Sequence, residues 1–470
     1  FITITLPTFA RDFERCLSLG RVVPGAFLSF GKERTGIPRF LSGFLHHVFG
    51  PDGALLPTPS IDCIRSVRQI CRFGQKLERP CSQERVNKAM DSYRSCDDEI
   101  AEPGTHLWEA FCAVGAVLTA ALPQEREDIL SLLIPQHGPG ATQEHILGNQ
   151  KYVFRRWHQR LEDVGFTYNR FGRAVPATIT DGKPELADGE SWPEFVEPGA
   201  EAPVRVVFVP KTLKTPRVIA VEPVCMQYAQ QGISKMLVRF LERNRFTGGH
   251  LNFRDQTVNQ ALAKTASQDC KLATLDMAEA SDRVSVTHVE GLLKSNPVLR
   301  ELVLACRSTS AELPNGDVIS LKKFASMGSA LCFPLEALVF FTSIIASRVR
   351  RAKRPINART VYSFSRSVYV YGDDLIVPAD EAPAICDDLE SLGFKINRHK
   401  SFWTGKFRES CGSDCYDNEH VTPVYMRRDL PTSREDVPGL LSAVATCNQL
   451  HSAGYWRVAA AFRKAVEQHL

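Results

Sequence analysis

The chain has 470 residues, 44% hydrophobic and 23% charged. This is ordinary globular composition, enough for two or three subdomains, and it excludes disorder as the default state. The net charge of only +4 excludes a uniformly basic coat for nucleic acid, so any polyanion must be met by positive charge gathered locally along a channel.

The chain opens on Phe1-Ile2-Thr3-Ile4-Thr5-Leu6, without an initiator Met, a basic n-region or a small-residue cleavage site, and so does not read as a signal peptide. Residues 1 to about 165 read as mostly helical, with helices expected at 60–73, 107–122 and 124–133. Pro135-Gln136-His137-Gly138-Pro139-Gly140-Ala141-Thr142 is read as a loop. Residues 176–203, rich in Pro, Gly, Asp and Glu, read as a surface excursion or linker. Strands at 204–209 and 218–221 flank a basic connection, and 224–245 reads as a helix. A short strand at 272–275 and a helix at 284–293 follow. The apolar stretch 329–347 carries Pro334 and Glu336, and Arg348, Arg350, Arg351, Lys353 and Arg354 come directly after it. A carboxylate inside a membrane span is costly, so this reads as a buried helix with a basic end in a soluble chain with no membrane partner. Strands at 367–371 and 375–377 bracket a tight turn, and a helix is expected at 382–392. Past Asp429 the chain turns helical again, with Ser433 three residues before Asp436 resembling a capping box. The 14 cysteines are scattered. The one tight pair, Cys411 and Cys415, has no second pair to complete a zinc site, and the expectation is free thiols in a reducing cytosol.

Three segments carry the chemistry. Tyr371-Gly372-Asp373-Asp374 lies between apolar strands, with Gly372 supplying the permissive turn position. A solvated Gly-Asp turn would need no further explanation, but here the apolar flanks hold two adjacent carboxylates on a rigid frame, which is costly unless a cation joins them. Asp276 ends the strand 272–275, and Asp282 follows in Met277-Ala278-Glu279-Ala280-Ser281-Asp282, where Ser281 or Asp282 could equally cap a helix. Together, Asp276, Asp373 and Asp374 form the carboxylate set that two divalent cations need for in-line phosphoryl transfer. The third segment is a basic hairpin, in which Lys211, Lys214 and Arg217 gather around Pro210 and Pro216 and suit a triphosphate. Phe324-Ala325-Ser326-Met327-Gly328-Ser329-Ala330 precedes the long helix. Its small residues allow close backbone approach and Ser326 offers a hydroxyl, although a plain N-cap and loop would look the same.

The order of basic hairpin, Asp276 strand, Ser-Met-Gly helix and Tyr-Gly-Asp-Asp hairpin resembles the viral RNA-dependent RNA polymerases. More narrowly, it resembles the replicase catalytic β subunit of the single-stranded RNA bacteriophages, levivirus type. The similarity extends through Val209-Pro210-Lys211, the block Leu251-Asn252-Phe253-Arg254-Asp255-Gln256-Thr257-Val258-Asn259-Gln260, Ala280-Ser281-Asp282, and Phe407-Arg408-Glu409-Ser410-Cys411-Gly412 followed by Val421-Thr422-Pro423. The resemblance implies an α+β right hand: fingers from residues 1–260 including the hairpin 205–222, a palm of antiparallel sheet plus helices from 261–430, and a partial helical thumb from 431–470. It implies Asp276 and Asp373, with Asp374 beside them, as ligands of two Mg²⁺ ions, Mn²⁺ being the other candidate. Lys211, Lys214 and Arg217 would face the incoming triphosphate. Asp282, Ser326, Gly328 and Asn259 or Asn252 would sense the ribose and the nascent pair, Lys400 would act as general acid for pyrophosphate, and residues 407–411 would hold the product end, making Cys411 a loop residue. The implied partners are RNA template and product, ribonucleoside triphosphates, host elongation factors Tu and Ts and a ribosomal protein, in the cytoplasm of an infected bacterium. Against the family pattern, the missing Met and the short segment after Asp374 predict a sequence clipped at both ends.

Two other readings share part of this signal. A reverse transcriptase would have the same palm and carboxylates, but more often carries a bulkier residue than Gly372 and would leave the 252–260 block unexplained. A non-catalytic RNA-binding subunit on the same fold would have no reason to keep clustered, costly carboxylates.

Overall fold

The computed structural model describes residues 1–173, 178–180, 183–185, 192–212 and 214–469. Much of the Pro- and Gly-rich stretch at 176–203, and Leu213 in the basic connection, lie outside the described residues. The expected elements form with ends shifted by a few residues. Helices run Ile61–Arg72, Thr105–Thr119, Arg126–Leu132, Val224–Leu241 and Ala382–Ser391, and strands run Val204–Val209, Arg217–Val221 and Leu272–Asp276.

The central element is the helix Cys332–Arg351, buried from Pro334 to Val349. It is the one helix among the described residues long and apolar enough to cross a membrane by length and composition, yet it sits in the main core. Its basic last turn is tied down: Arg348 pairs with Glu381 at 2.7 Å and Arg351 with Asp388 at 2.7 Å, fastening it to the helix Ala382–Ser391. Cations at a helix C-terminus also meet the negative end of its dipole.

Over this helix lies a three-stranded antiparallel sheet in the order Tyr369–Tyr371, Asp374–Pro378, Leu272–Asp276. Register opposes Tyr371 to Asp374 and Asp374 to Asp276, so both acidic segments reach the same end of the sheet. A separate four-stranded sheet joins the basic hairpin (Val204–Val209 against Arg217–Val221) to Ser310–Glu312 and Val318–Ser320.

Residues of the first 71 positions share a core with Phe402, Phe407, Tyr416 and Val421. Inside it Arg68 donates to Glu14 at 2.8 Å and to Asp414 at 2.8 Å, while Arg72 also bonds Glu14. Burial alone would raise the Glu14 carboxyl, but Arg72 and Arg68 hold it below the ordinary range.

One capping expectation, the Ser433–Asp436 box, is corrected, and two alternative caps are set aside. Asp436 itself caps the helix Val437–Ser452 by accepting from the Gly439 N–H, so Ser433 is not the cap. Ser281 and Asp282 lie inside the short helix Ala280–Arg283, and the next helix, Val286–Leu292, is capped by Ser285 in reciprocal bonds with His288. Ser326 is not a cap either, because the long helix starts after Leu331 without a side-chain cap.

Candidate active site

The two-residue turn Gly372-Asp373 joins the outer and middle strands, with Gly372 at φ +60°. Such turns favour glycine at their first central position. A Cβ there would also lie 2.4 Å from the Phe333 ring, so shape and conformation both demand glycine.

The turn brings Asp373 beside Asp276 on the wall of a cavity of about 710 Å³. The Asp276 carboxylate is held at both oxygens: Asn397 Nδ2 donates to one at 2.7 Å, and Lys400 Nζ to the other at 3.2 Å. Lys400 also lies 3.8 Å from Glu409, and the charges of Glu409 and Asp276 hold its ammonium above the ordinary range against the pull of burial. Burial, reinforced by Asp276, raises the Asp373 carboxyl, and Lys400 and Lys211 offset only part of this. Asp374 is pushed up to about 6 by burial and by the neighbouring Asp373. It lies outside the cavity lining, where it accepts from Ser410 Oγ at 3.4 Å, and Asn259 Nδ2 reaches its backbone carbonyl at 3.4 Å. Asn259 is thus fully buried behind the carboxylates rather than on the cavity wall. Asn252 also stays behind the sheet edge, its backbone N–H bonded to the Val370 carbonyl at 3.1 Å.

Lys211 and Arg217 line the same cavity as Asp276 and Asp373. Burial, and then the charge of Arg217, pulls the Lys211 ammonium below its ordinary range. Lys214 faces an adjoining cavity of about 220 Å³, shared with Arg11, His399 and Lys400. Gly328 belongs to the main cavity wall, at φ +132°, and its close approach is to the hairpin: a Cβ there would lie 2.0 Å from the Ala220 carbonyl oxygen. The Ala220 N–H in turn donates to the Met327 carbonyl at 2.9 Å, locking the Ser-Met-Gly segment to the basic sheet. Asp282 lines the cavity, while Ser326 sits just beneath it, 4% exposed.

The positive wall faces carboxylates whose charge the chain leaves incompletely balanced, and hard oxygen donors in that state fit Mg²⁺ or Mn²⁺. Among the described residues no three His, Cys, Asp or Glu side chains converge into a cage. Mg²⁺ does not require one, since it binds through one or two carboxylates together with substrate oxygens and water. Cys411 is a turn residue at φ +49° whose carbonyl accepts from Gln260, consistent with a loop role.

Three site residues escaped the sequence reading of function. Asn397, three residues before Lys400, carried no functional signal in the sequence. Glu336 was noted as a carboxylate in an apolar helix, and it proves to line the cavity, with burial and then Asp373 raising its carboxyl well above the ordinary range. Tyr93 had no local signal at all, because only the folded chain carries the helix Gln83–Asp98 to this wall.

Residues 198–451, which contain the basic hairpin and all three carboxylates, match the family model described as RNA replicase, beta-chain. The chain belongs to that family. Relatives of this chain include the RNA-directed RNA polymerase subunit beta of Escherichia virus Qbeta, 38% identical over 223 residues, which cover 47% of this chain and 35% of the relative. The corresponding subunit of Enterobacteria phage SP is 37% identical over 48% of this chain and 36% of its own length. The beta chain of Escherichia phage MS2 is 32% identical over 47% of this chain and 37% of its own. The matched part of the chain thus spans little more than a third of these relatives. In three dimensions the chain has the α+β fold of the RNA-dependent RNA polymerase of a human picobirnavirus, with TM-score 0.50 and 12% identity over 95% of this chain and 89% of that one.

Proposed function

We propose that this chain catalyses RNA-templated RNA synthesis, joining ribonucleotides by two-metal nucleotidyl transfer to replicate a viral RNA genome. The observation that carries the reading is the cavity in which Asp276 and Asp373 face Lys211 and Arg217. Carboxylates suited to metal and cations suited to a triphosphate line one cavity of about 710 Å³, a size that suits a nucleotide on a template. Asp276 and Asp373, with Asp374 supporting the turn from behind, would hold two Mg²⁺ or Mn²⁺ ions. When bound, these supply an activated 3′-hydroxyl and charge stabilisation at the leaving pyrophosphate.

The chain's own groups do the rest. Lys211 and Arg217 bind triphosphate oxygens and offset the charge that grows as the α–β bond breaks, and Lys214 extends this field into the adjoining cavity. Lys400 Nζ keeps its proton next to Asp276 and is placed to pass it to the departing pyrophosphate. Asp282, with Ser326 behind it, reads the ribose. Gly328 keeps the wall close to the hairpin, and Asn259 and Asn252 steady the sheet end. Residues 407–411 support the product end.

On this reading residues 1–260 form the fingers, 261–430 the palm and 431–470 the beginning of a thumb. RNA template and product and ribonucleoside triphosphates are the ligands. The resemblance to phage replicases supports host elongation factors Tu and Ts and a ribosomal protein as partners, in the cytoplasm of the infected bacterium. A reverse transcriptase or a non-catalytic RNA-binding subunit is the competing reading, and clustered carboxylates with raised proton affinity have no purpose in the latter.

The test is incorporation of labelled ribonucleotide on a short RNA template, with and without Mg²⁺, by the chain and by Asp373→Asn, with elongation factors supplied. Incorporation that needs both the metal and Asp373, with template binding unchanged in the variant, is the expected result. Equal turnover by the variant would overturn the assignment.

A further inference from the structure

Behind the cavity wall lies a fully buried cation. Lys323 is 0% exposed. Its ammonium donates to Asp282 Oδ1 at 3.1 Å and to the Tyr93 carbonyl at 3.2 Å, and sits 3.6 Å from the centre of the Tyr93 ring. Ser326 Oγ lies 3.5 Å from the same Asp282 oxygen and 2.8 Å from the Tyr93 hydroxyl. The helix Gln83–Asp98 supplies Tyr93 and also fixes the lysine's backbone, because Asp97 accepts from the Lys322 N–H at 3.0 Å and from the Lys323 N–H at 2.9 Å.

Burying an ammonium is costly without a charged partner and further hydrogen bonds. Lys323 has one carboxylate, one carbonyl and one ring face, and all belong to this cluster. Lys323 and Ser326 both address Oδ1, which leaves Oδ2 as the acceptor on the side of Asp282 that lines the cavity. An aspartate clamped at one oxygen has its carboxylate plane fixed, so the other oxygen presents a lone pair in a set direction. A sugar hydroxyl is the class of group that such an acceptor selects.

We propose that Lys323 and Tyr93 are positioning residues for ribose selection: they clamp Asp282 so that its free oxygen accepts from a nucleotide 2′-hydroxyl. The proposal rests on the reading of Asp282 as the ribose sensor. It extends that site to a helix outside the segment 198–451 that carries the family match.

The test is equilibrium binding of ATP and 2′-deoxy-ATP to the full chain on a template–primer RNA with uridine at the templating position. The unaltered chain should prefer ATP, and Asp282→Asn should lose that preference. Lys323→Met should lower the ATP to 2′-deoxy-ATP affinity ratio roughly tenfold, as expected for misdirecting one hydrogen bond to a charged group, while leaving 2′-deoxy-ATP affinity unchanged. The double variant should be no worse than Asp282→Asn alone. A merely structural role would weaken both nucleotides equally, and that outcome overturns the proposal. Tyr93→Phe keeps the ring over the ammonium and removes only the hydroxyl. It should lower the ratio by a smaller factor, and it decides the matter if Lys323→Met does not fold: an unchanged ratio overturns the proposal. If Asp282→Asn retains the full preference, the ribose reading of Asp282 fails instead.

Discussion

Gly328 and Gly372 show how tightly single positions are constrained around the cavity. Gly328 combines a backbone conformation that side chains rarely adopt with a carbonyl oxygen 2.0 Å from where a Cβ would sit. Neither the Ala220 backbone nor the Met327 carbonyl it bonds can retreat without opening the hairpin. Gly328→Ala is therefore expected to destabilise the chain by about 1–3 kcal/mol, read as a lower urea midpoint. Gly199→Ala, with ordinary φ and nothing within 4 Å, should stay within about 0.5 kcal/mol of the parent. Equal effects at both positions would show that the close approach at Gly328 is unimportant.

Among elements, the buried ion-pair cluster fastens three segments together: the helix Thr5–Leu19, the helix Ile61–Arg72 and the strand Ser413–Tyr416. Glu14 serves both Arg68 and Arg72, whose side chains are 1% and 11% exposed. Removing it leaves two guanidiniums short of charge in a low-dielectric setting. Glu14→Ala should cost about 3–5 kcal/mol, whereas Glu467→Ala, which breaks the exposed pair with Arg463, should cost less than about 1 kcal/mol. Denaturant unfolding of the two variants side by side checks the contrast. The long helix Cys332–Arg351 follows the same logic. Two of the five cations at its basic end, Arg348 and Arg351, pair with Glu381 and Asp388, so a run that looked in sequence like a flanking charge cluster is partly a set of internal ties.

At the scale of the whole molecule, stability should depend on pH through Glu222, a fully buried carboxyl that accepts from Ser308 Oγ at 2.6 Å. Burial pushes it up to about 7 from an ordinary 4.5. Between those values the folded chain keeps a proton that the unfolded chain releases, so stability is greatest at the acid end of the window and falls as pH rises through it. The slope approaches about 1.4 kcal/mol per pH unit. Glu222→Gln should flatten that part of the profile relative to the parent in urea unfolding between pH 5 and pH 7.5. An unchanged slope would show that Glu222 titrates normally. The shared core of the first 71 residues with Phe402, Phe407 and Tyr416 also ties the N-terminal region to a segment about 350 residues later in the chain.

The sequence by itself determined the elements whose signal is local. Short β-branched apolar runs set the strands of the basic hairpin, glycine chemistry set the Tyr371–Asp374 turn, and the ordered motifs marked the carboxylates and the cationic connection. Those features depend on neighbours a few residues away, so they survive without knowledge of the fold. The capping error at Ser433 and the open choice at Ser281 or Asp282 arose because several short polar residues compete for one helix end, and only the backbone path chooses between them. Tyr93, Lys323 and Asn397 were silent for a different reason. Their roles come from contacts across tens to hundreds of residues, as when Asn397 meets Asp276 and Tyr93 meets Ser326. The same holds for the placement of Asp374 and Asn259 behind the wall rather than on it. Strand register and helix packing decide which side of the sheet end each group faces, and these are fixed only when the chain closes around its core.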